Sequence, residues 1–148
     1  MIHFIYDSSL GSEHIALIDQ EQPFLQRWLR QVAAYYGFTV GELTYIFCTD
    51  EKELEVNREF LGHDYYTDII TFDYTTPKCI NGDIFISWET VQSNAAEVAT
   101  TAEQELRRIL AHGLLHLTGQ GDKTPDTKAE MTRKEEHALA LYRNMKNL

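Results

Sequence analysis

Several features that mark secreted, fibrous or membrane proteins are absent from the sequence. Only two of its 148 residues are cysteines, Cys48 and Cys79, and their spacing is not that of a metal-binding pair. A disulfide framework is therefore excluded, and reduced thiols are expected. No apolar run approaches the roughly 20 residues of a membrane-spanning helix, and the N-terminal residues do not resemble a signal peptide. We expect a cytoplasmic protein without a membrane segment.

The chain also lacks internal repeats, low-complexity tracts and linkers rich in proline, glycine or serine. With 43% hydrophobic and 24% charged residues, its composition is that of a globular protein and not of a disordered chain or a fibre. A chain of this length buries about two-thirds of its unfolded surface. Residues 1–148 are therefore expected to form a single domain.

Basic residues are scarce as well. The 13 lysines and arginines face 23 aspartates and glutamates, which gives a formal net charge of −10. Proteins that bind duplexes without specificity usually carry basic patches that neutralise phosphates. No DNA partner is therefore expected, and any role with nucleic acid must depend on a local site.

The order of predicted elements indicates an α+β fold with about four strands and four or five helices. Asp50 and Glu53 are predicted to form a capping box, Asn81-Gly82 a turn before the last strand, and Thr124 an N-cap followed by Pro125. Strands are predicted at residues 2–7, 43–48 and 67–74 and after the Asn81-Gly82 turn as far as residue 87. Helices are predicted at 23–37, 51–62, 89–99, from about 100 through the histidines, and 124–148.

The stretch "LAHGLLHLTGQGDK", residues 110–123, carries the most chemistry. His112 and His116 lie four residues apart on a predicted helix, so both imidazoles can reach one ion. They fall at the edge of the apolar face, on a stripe that they share with Glu105 and Arg108. The apolar face itself is predicted to consist of Leu106, Ile109, Leu110, Gly113, Leu114 and Leu117.

The glycines after this helix allow the chain to fold back. Gly119 is placed to end the helix in a left-handed conformation, and Gly121 loosens the following turn, so that Asp122 can reach the ion. Two histidines and one aspartate with an open fourth position form a catalytic zinc arrangement. Water or Asp126 competes with Asp122 as the third ligand, and a pair of surface histidines is the simpler alternative.

Gly113 decides between two kinds of zinc enzyme. Proteases of the H-E-x-x-H type need a glutamate after the first histidine as general base. A glycine cannot serve as that base, so the sequence argues against a peptidase.

Three motifs in order resemble the YbeY family of metal-dependent endoribonucleases. "HGLLHLTGQGD" resembles the family signature H-G-x-L-H-L-x-G-x-D-H, and "NGDIFIS" resembles its G-D-I-x-I-S strand. "VNREFLGHDYYTDIITFDY" is similar to the family segment L-N-x-x-Y-R-x-x-D-x-x-T-D-V-L-S-F-x. The resemblance implies a zincin-like domain with a mixed sheet. It also implies one Zn²⁺ per chain and a role in ribosomal RNA maturation and ribosome quality control, with single-stranded RNA or pre-rRNA and the small ribosomal subunit as partners.

Two positions depart from the family pattern. Asp122 stands where the family has its third histidine, which makes the ligand set more anionic and the ion a weaker Lewis acid. Leu61 replaces the family arginine. Arg58, about one helical turn earlier, or Arg108 would then supply the catalytic positive charge. For Arg58, the sequence supports equally well the alternative of an exposed helical arginine.

Other matching residues carry weaker expectations. Asn57, Thr67 and Asp68 match family positions, and the last two would order the start of a strand through side-chain hydrogen bonds. Tyr65 or Tyr66 would offer a stacking surface for unpaired bases.

The leading hypothesis is a zinc-dependent endoribonuclease that prefers single strands. In it, the ion polarises a phosphodiester oxygen and assists attack by water or by the adjacent 2′-hydroxyl. The alternatives are a zinc hydrolase of another substrate, or a non-catalytic ribosome-associated zinc protein, for which a closed fourth coordination position would argue.

Overall fold

Four strands and five helices make up the described part of the chain, residues 1–63, 67 and 69–147 of a computed structural model. The predicted α+β class is confirmed. The strands are β1 (Ile2–Tyr6), β2 (Thr39–Cys48), β3 (Ile69–Asp73) and β4 (Cys79–Ser87), and the helices are α1 (Ala16–Tyr35), α2 (Asp50–Leu61), α3 (Trp88–Glu97), α4 (Ala102–Leu117) and α5 (Pro125–Met145).

The strands form one mixed sheet in the order β1-β2-β4-β3. β1, β2 and β4 are parallel, whereas β3 pairs with β4 in the antiparallel direction and forms one edge. Tyr45 in β2 lies opposite Phe4 in β1 and Ile84 in β4, which sets the register across the three parallel strands. The helix α4 packs against β3 and β4, so the histidines lie beside the antiparallel edge.

One face of the sheet forms the hydrophobic core with α1, α4 and α5. Ile80, Ile84 and Ile86 of β4 are fully buried in it, at the alternate positions that one face of a strand presents. The buried hydroxyl of Tyr45 donates a hydrogen bond to the carbonyl of Leu110, at 2.7 Å, and so attaches the middle of α4 to the sheet.

The predicted turn at Asn81-Gly82 is wrong, because both residues lie inside β4. The connection from β3 to β4 is made earlier, at residues 74–78, where Lys78 takes a φ of 66°. A glycine is needed at position 82 because the backbone of β3 approaches it closely, and not because the chain turns there. A Cβ there would lie 2.6 Å from the carbonyl oxygen of Phe72, so the strand tolerates no side chain at this position.

The predicted capping box at Asp50 and Glu53 is also wrong. Thr49 is the N-cap of α2, and its side-chain oxygen accepts a hydrogen bond from the backbone N–H of Lys52 at 3.2 Å. Asp50 is the first helical residue. Its carboxylate accepts hydrogen bonds from Ser87 and Thr90 at the start of α3, so it joins two helices and does not cap one.

The first helix is longer than the predicted range 23–37, since it starts at Ala16. Glu21 leaves the helical conformation and kinks it, and Pro23 lies in the first turn after this kink. The helix ends at Tyr35, and Gly37 follows with a φ of 84°. None of the helices in the described ranges has the length and apolar character needed to cross a membrane.

Candidate metal centre

The apolar side of α4 lies directly on the sheet, as the sequence predicts. Gly113 is the point of closest approach. A Cβ there would meet Ile69 Cδ1 at 2.9 Å and Ile84 Cδ1 at 3.0 Å. The space that a catalytic glutamate would need after His112 is thus filled by side chains of β3 and β4. The glycine excludes a protease base both by its chemistry and by the packing around it.

The two histidines occupy the adjacent polar stripe of α4. His112 Nδ1 lies 2.5 Å from Glu135 Oε2, and His116 Nδ1 lies 2.9 Å from the backbone carbonyl oxygen of Gln120. Each of these oxygens is an acceptor, so each Nδ1 carries the proton in a neutral imidazole. The Nε2 lone pairs of both rings are then available to a metal ion.

The turn after α4 brings in the third candidate ligand. The helix ends at Leu117, and Gly119 adopts the predicted left-handed conformation with a φ of 97°. Gln120 is buried and donates side-chain hydrogen bonds to the carbonyls of Gly121 and Thr127, at 3.0 and 3.4 Å, which fixes the turn against α5. The carboxylate of Asp122 points back toward the histidines.

Three atoms converge at this point. Asp122 Oδ2 lies 3.4 Å from His112 Nε2 and 3.5 Å from His116 Nε2, and the ligand atoms of the three residues all lie within 4.8 Å of one another. A tetrahedral zinc ion with bonds of about 2.0–2.1 Å would separate its ligand atoms by roughly 3.3–3.4 Å. The donor set and its spacing therefore fit a metal ion. Asp126, the competing ligand, is exposed in the first turn of α5 and does not join the cluster.

The centre is half-buried. The exposed fraction of the side chain is 13% for His112, 23% for His116 and 31% for Asp122, so the ligand atoms are reachable from solvent on the Asp122 side. Three protein ligands leave one position of a tetrahedral ion to a substrate or to water, which is the property of catalytic zinc sites.

Beside His112 lies a network of charges in which two buried glutamates hold the half-buried Arg108. Arg108 donates to both oxygens of Glu105, at 2.9 and 2.6 Å, and donates to Glu135 Oε1 at 3.2 Å. Hydrogen bonding to Glu105, together with the charges of Glu135 and Glu105, outweighs desolvation and raises the pKa of the Arg108 guanidinium. The positive charge of Arg108 is thus shared between two carboxylates. This geometry does not favour its use as a free cation for phosphate, and that catalytic role stays a prediction.

The residues predicted on α2 are not members of the three-residue cluster found among the described residues. Arg58 is exposed in the last turn of α2, as is Leu61, while Asn57 is buried. Their helix packs against α3, β3 and β4. The catalytic role of Arg58 stays a prediction.

The segment before β3 is described only in part. The hydroxyl of Thr67 donates to the carbonyl of Ile69 at 3.4 Å, as expected for a residue that orders a strand start. Asp68 and the proposed stacking residues Tyr65 and Tyr66 lie outside the described residues.

Two residues of the centre were missed by the reasoning from sequence, Glu135 and Gln120. A signal for Glu135 exists in the spacing of α5. The buried stripe of this helix consists of Met131, Glu135, Ala138 and Tyr142, and a glutamate at a core position of a helix indicates a polar partner. The sequence contains no comparable signal for Gln120, because Gln120 contacts His116 through its backbone carbonyl and not through its side chain.

Comparisons with known proteins agree with the geometry. Residues 11–143 match the profile of the family described as Endoribonuclease YbeY. The Endoribonuclease YbeY of Phocaeicola vulgatus is 49% identical over 133 residues, which is 90% of this chain and 96% of that protein. The protein of the same name from Bacteroides thetaiotaomicron is 46% identical over 88% of this chain and 95% of its own length. That from Cytophaga hutchinsonii is 52% identical over 79% of this chain and 82% of its own.

A solution structure of a Thermotoga maritima protein shares the fold. It superimposes with a TM-score of 0.68 at 24% sequence identity, and the match covers 99% of this chain and 92% of that one. The sequence resemblance and the predicted enzyme class are both confirmed by these relationships. Since the family profile and the relatives each span most of the sequence, the chain belongs to the YbeY family of endoribonucleases.

Proposed function

We propose that this protein is a zinc-dependent endoribonuclease that cleaves unpaired RNA during ribosomal RNA maturation and ribosome quality control. The observation that carries the proposal is the convergence of His112, His116 and Asp122 with one coordination position left open. The activity of the relatives, which are named Endoribonuclease YbeY, indicates an RNA substrate. We further propose that residues 1–148 act as one domain, since a single core joins residues from β1 to α5.

The ligands have separate tasks in this proposal. His112 and His116 bind the ion through Nε2, and Asp122 binds it through a carboxylate oxygen and adds a negative charge. When bound, the zinc ion supplies Lewis acidity toward a phosphodiester oxygen and toward water or the adjacent 2′-hydroxyl. Because the residue that follows His112 in sequence is Gly113, the protein contributes no base at the position where a zinc protease has its glutamate.

Charge balance explains why an acidic site can accept RNA. The group formed by the ligands and the network beside them includes the carboxylates of Glu105, Glu135 and Asp122 and the cation Arg108. A dication bound to the three ligands brings the formal charge of this group to zero. Metal binding therefore removes the repulsion that the centre would otherwise exert on a phosphodiester. Arg58 is proposed as an additional cation toward the phosphate, supported only by its exposure and by the motif.

The test begins with purified protein and three measurements. Zinc and iron content should show about one zinc per chain, because the separations of 3.4 and 3.5 Å suit a tetrahedral ion. Unstructured RNA should be cleaved faster than a duplex of the same sequence, and an all-deoxy strand should not be cleaved. His116→Ala should lose zinc and activity together.

The matched control is His14→Ala, which removes an exposed histidine that precedes α1 and does not belong to the cluster. It should retain both zinc and activity. Full nuclease activity in His112→Ala and His116→Ala would refute the proposal. Zinc bound without cleavage of any RNA would favour the non-catalytic alternative.

The ribosomal partner and the compartment need their own experiment. We propose that the protein acts in the cytoplasm on pre-rRNA in the small ribosomal subunit. Co-sedimentation with small subunits, and accumulation of unprocessed rRNA in cells that carry His116→Ala, are the expected results. Normal rRNA processing in such cells would contradict this role while leaving the RNA-cleaving activity intact.

A further inference from the structure

We propose that Glu135 is a positioning residue of the metal centre, and that Arg108 acts through it. The Glu135 carboxylate holds His112 in the orientation and tautomer that metal binding requires, and Arg108, bound by Glu105, holds that carboxylate in place. The inference rests on the proposed function only in taking His112, His116 and Asp122 as the metal ligands.

The first step is the contact between Glu135 and His112. Glu135 is 6% exposed, and its Oε2 lies 2.5 Å from His112 Nδ1. A neutral imidazole carries one proton, and a carboxylate at this distance selects the form protonated at Nδ1. The lone pair of Nε2 then remains for the ion, and Nε2 lies 3.4 Å from Asp122 Oδ2, the ligand atom of the third residue.

The second step is the contact between Glu135 and Arg108. Glu105 accepts two hydrogen bonds from one edge of the guanidinium, at 2.9 and 2.6 Å, which fixes its plane. The remaining nitrogen, Nη1, donates to Glu135 Oε1 at 3.2 Å. Both oxygens of Glu135 therefore have partners, and the carboxylate cannot rotate without losing one of them.

The third step connects this network to the helix packing. Glu105 and Arg108 lie on α4 with His112, whereas Glu135 comes from α5. Three residues beyond Glu135, the carbonyl of Ala138 accepts a hydrogen bond from Trp28 Nε1 at 2.8 Å, which fixes α5 against α1. The orientation of one metal ligand thus depends on where α5 is held.

The two histidines differ in this respect. His116 donates to the backbone carbonyl of Gln120, which no side-chain substitution removes, whereas His112 depends on a side chain. Loss of such a partner typically costs about 10–100-fold in metal affinity. His112 is therefore the ligand whose positioning a point substitution outside the ligand set can test.

The experiment measures the zinc dissociation constant by competition with a chromophoric chelator, without RNA. Glu135→Ala should raise this constant by about 10–100-fold, and Glu135→Gln by less, because its amide oxygen can still accept from His112. Glu135→Asp, which keeps a carboxylate, should restore part of the affinity lost in Glu135→Ala. Glu136→Gln removes the same charge from the exposed neighbouring residue and should change affinity less than about twofold.

A spectroscopic readout separates positioning from general stability. In the zinc-loaded protein, the His112 Nδ1–H proton should give a downfield, exchange-protected NMR signal because a carboxylate accepts it. The signal should move upfield in Glu135→Gln and stay unchanged in Glu136→Gln. Should Glu135→Ala not fold, as judged by circular dichroism, the affinity and the proton signal of Glu135→Gln decide the question.

A double-mutant cycle tests the role of Arg108. Arg108→Met should weaken zinc binding several-fold in the wild-type background and should have no further effect in the Glu135→Ala background. Equal effects in both backgrounds would overturn the link through Glu135. A Glu135→Gln protein with wild-type zinc affinity and an unchanged His112 proton would overturn the whole proposal. Failure of RNA cleavage alone would count against the proposed function and leave this inference standing.

Discussion

The two faces of α4 are built on opposite principles. Its apolar face packs on β3 and β4 so closely that Gly113 has no space for a Cβ. Its polar stripe carries the two histidines, and their orientations depend on the hydrogen bonds that they donate to the turn after α4 and to α5. The space between helix and sheet determines which residues the apolar face can hold, and hydrogen-bond partners orient the residues of the polar stripe. Substitutions on the two faces should therefore have different effects.

The difference shows how a single helix can serve both the core and the chemistry. Close packing of the Gly113 face fixes the height of α4 above the sheet, and Tyr45 adds a hydrogen bond to the carbonyl of Leu110. With the helix fixed, only the side-chain orientation of His112 and His116 remains to be set, and Glu135 and Gln120 set it.

The largest effect is expected from a charge on the packed face. Gly113→Glu would place a carboxylate against Ile69 and Ile84, and an unpaired buried charge together with overpacking should lower the free energy of unfolding by about 4 kcal/mol or more. Urea denaturation of the metal-free protein measures this. Gly121→Ala, where a Cβ meets nothing within 4 Å, is the control and should stay within about 0.5 kcal/mol. A stable Gly113→Glu protein would show that the packing argument is wrong.

The next effect concerns Asp122, the third candidate ligand, which lies in the turn after α4. Asp122→Ala should weaken zinc binding by about 100-fold or more and leave the metal-free stability nearly unchanged, because Asp122 lies outside the hydrophobic core. Asp122→His should keep the zinc. A neutral ligand leaves the ion a stronger Lewis acid, so the acid limb of the pH–rate profile should move to lower pH. An unchanged zinc affinity in Asp122→Ala would indicate that water, and not Asp122, is the third ligand.

Removing the metal should distinguish the contribution of the polar stripe to stability from that of the apolar face. With free zinc at 100 times its dissociation constant, binding stabilises the protein by about 2.7 kcal/mol, and a chelator should abolish this increment. The metal-free protein should remain folded, since no candidate ligand belongs to the core. Thermal unfolding with and without chelator measures the difference, and His116→Ala should show none. Complete unfolding on chelation would indicate a structural metal site.

The smallest effect is expected at the start of α5. Thr124 accepts a hydrogen bond from the backbone of Thr127, and the Thr127 hydroxyl accepts one in return from the backbone of Thr124, so Thr124→Ala should cost about 1 kcal/mol of stability. Thr132→Ala, exposed in the middle of the same helix, should cost less than about 0.5 kcal/mol. Equal losses in the two variants would mean that the cap does not hold α5.

The sequence predicted the fold where local patterns are strong. The helical period of α4, the N-cap Thr124 and the left-handed Gly119 are all where the pattern indicates. The prediction from sequence failed where tertiary contacts explain why a particular residue is present. Gly82 is a glycine because Phe72 and Leu117 approach it closely. The spacing of Asp50 suggests a helix cap, whereas its side chain instead joins α2 to α3.

The candidate centre divides in the same way. Sequence alone indicated the two histidines and offered Asp122, with water or Asp126 as alternatives, for the third position, because the spacing of the histidines and the glycine-containing turn are local features. Only the tertiary structure decided that Glu135 lies behind His112 and that Arg108 is held between two carboxylates. Those contacts join α4 to α5 across 27 residues, from Arg108 to Glu135, and a periodic pattern specifies which face of a helix is buried but not which neighbour it meets.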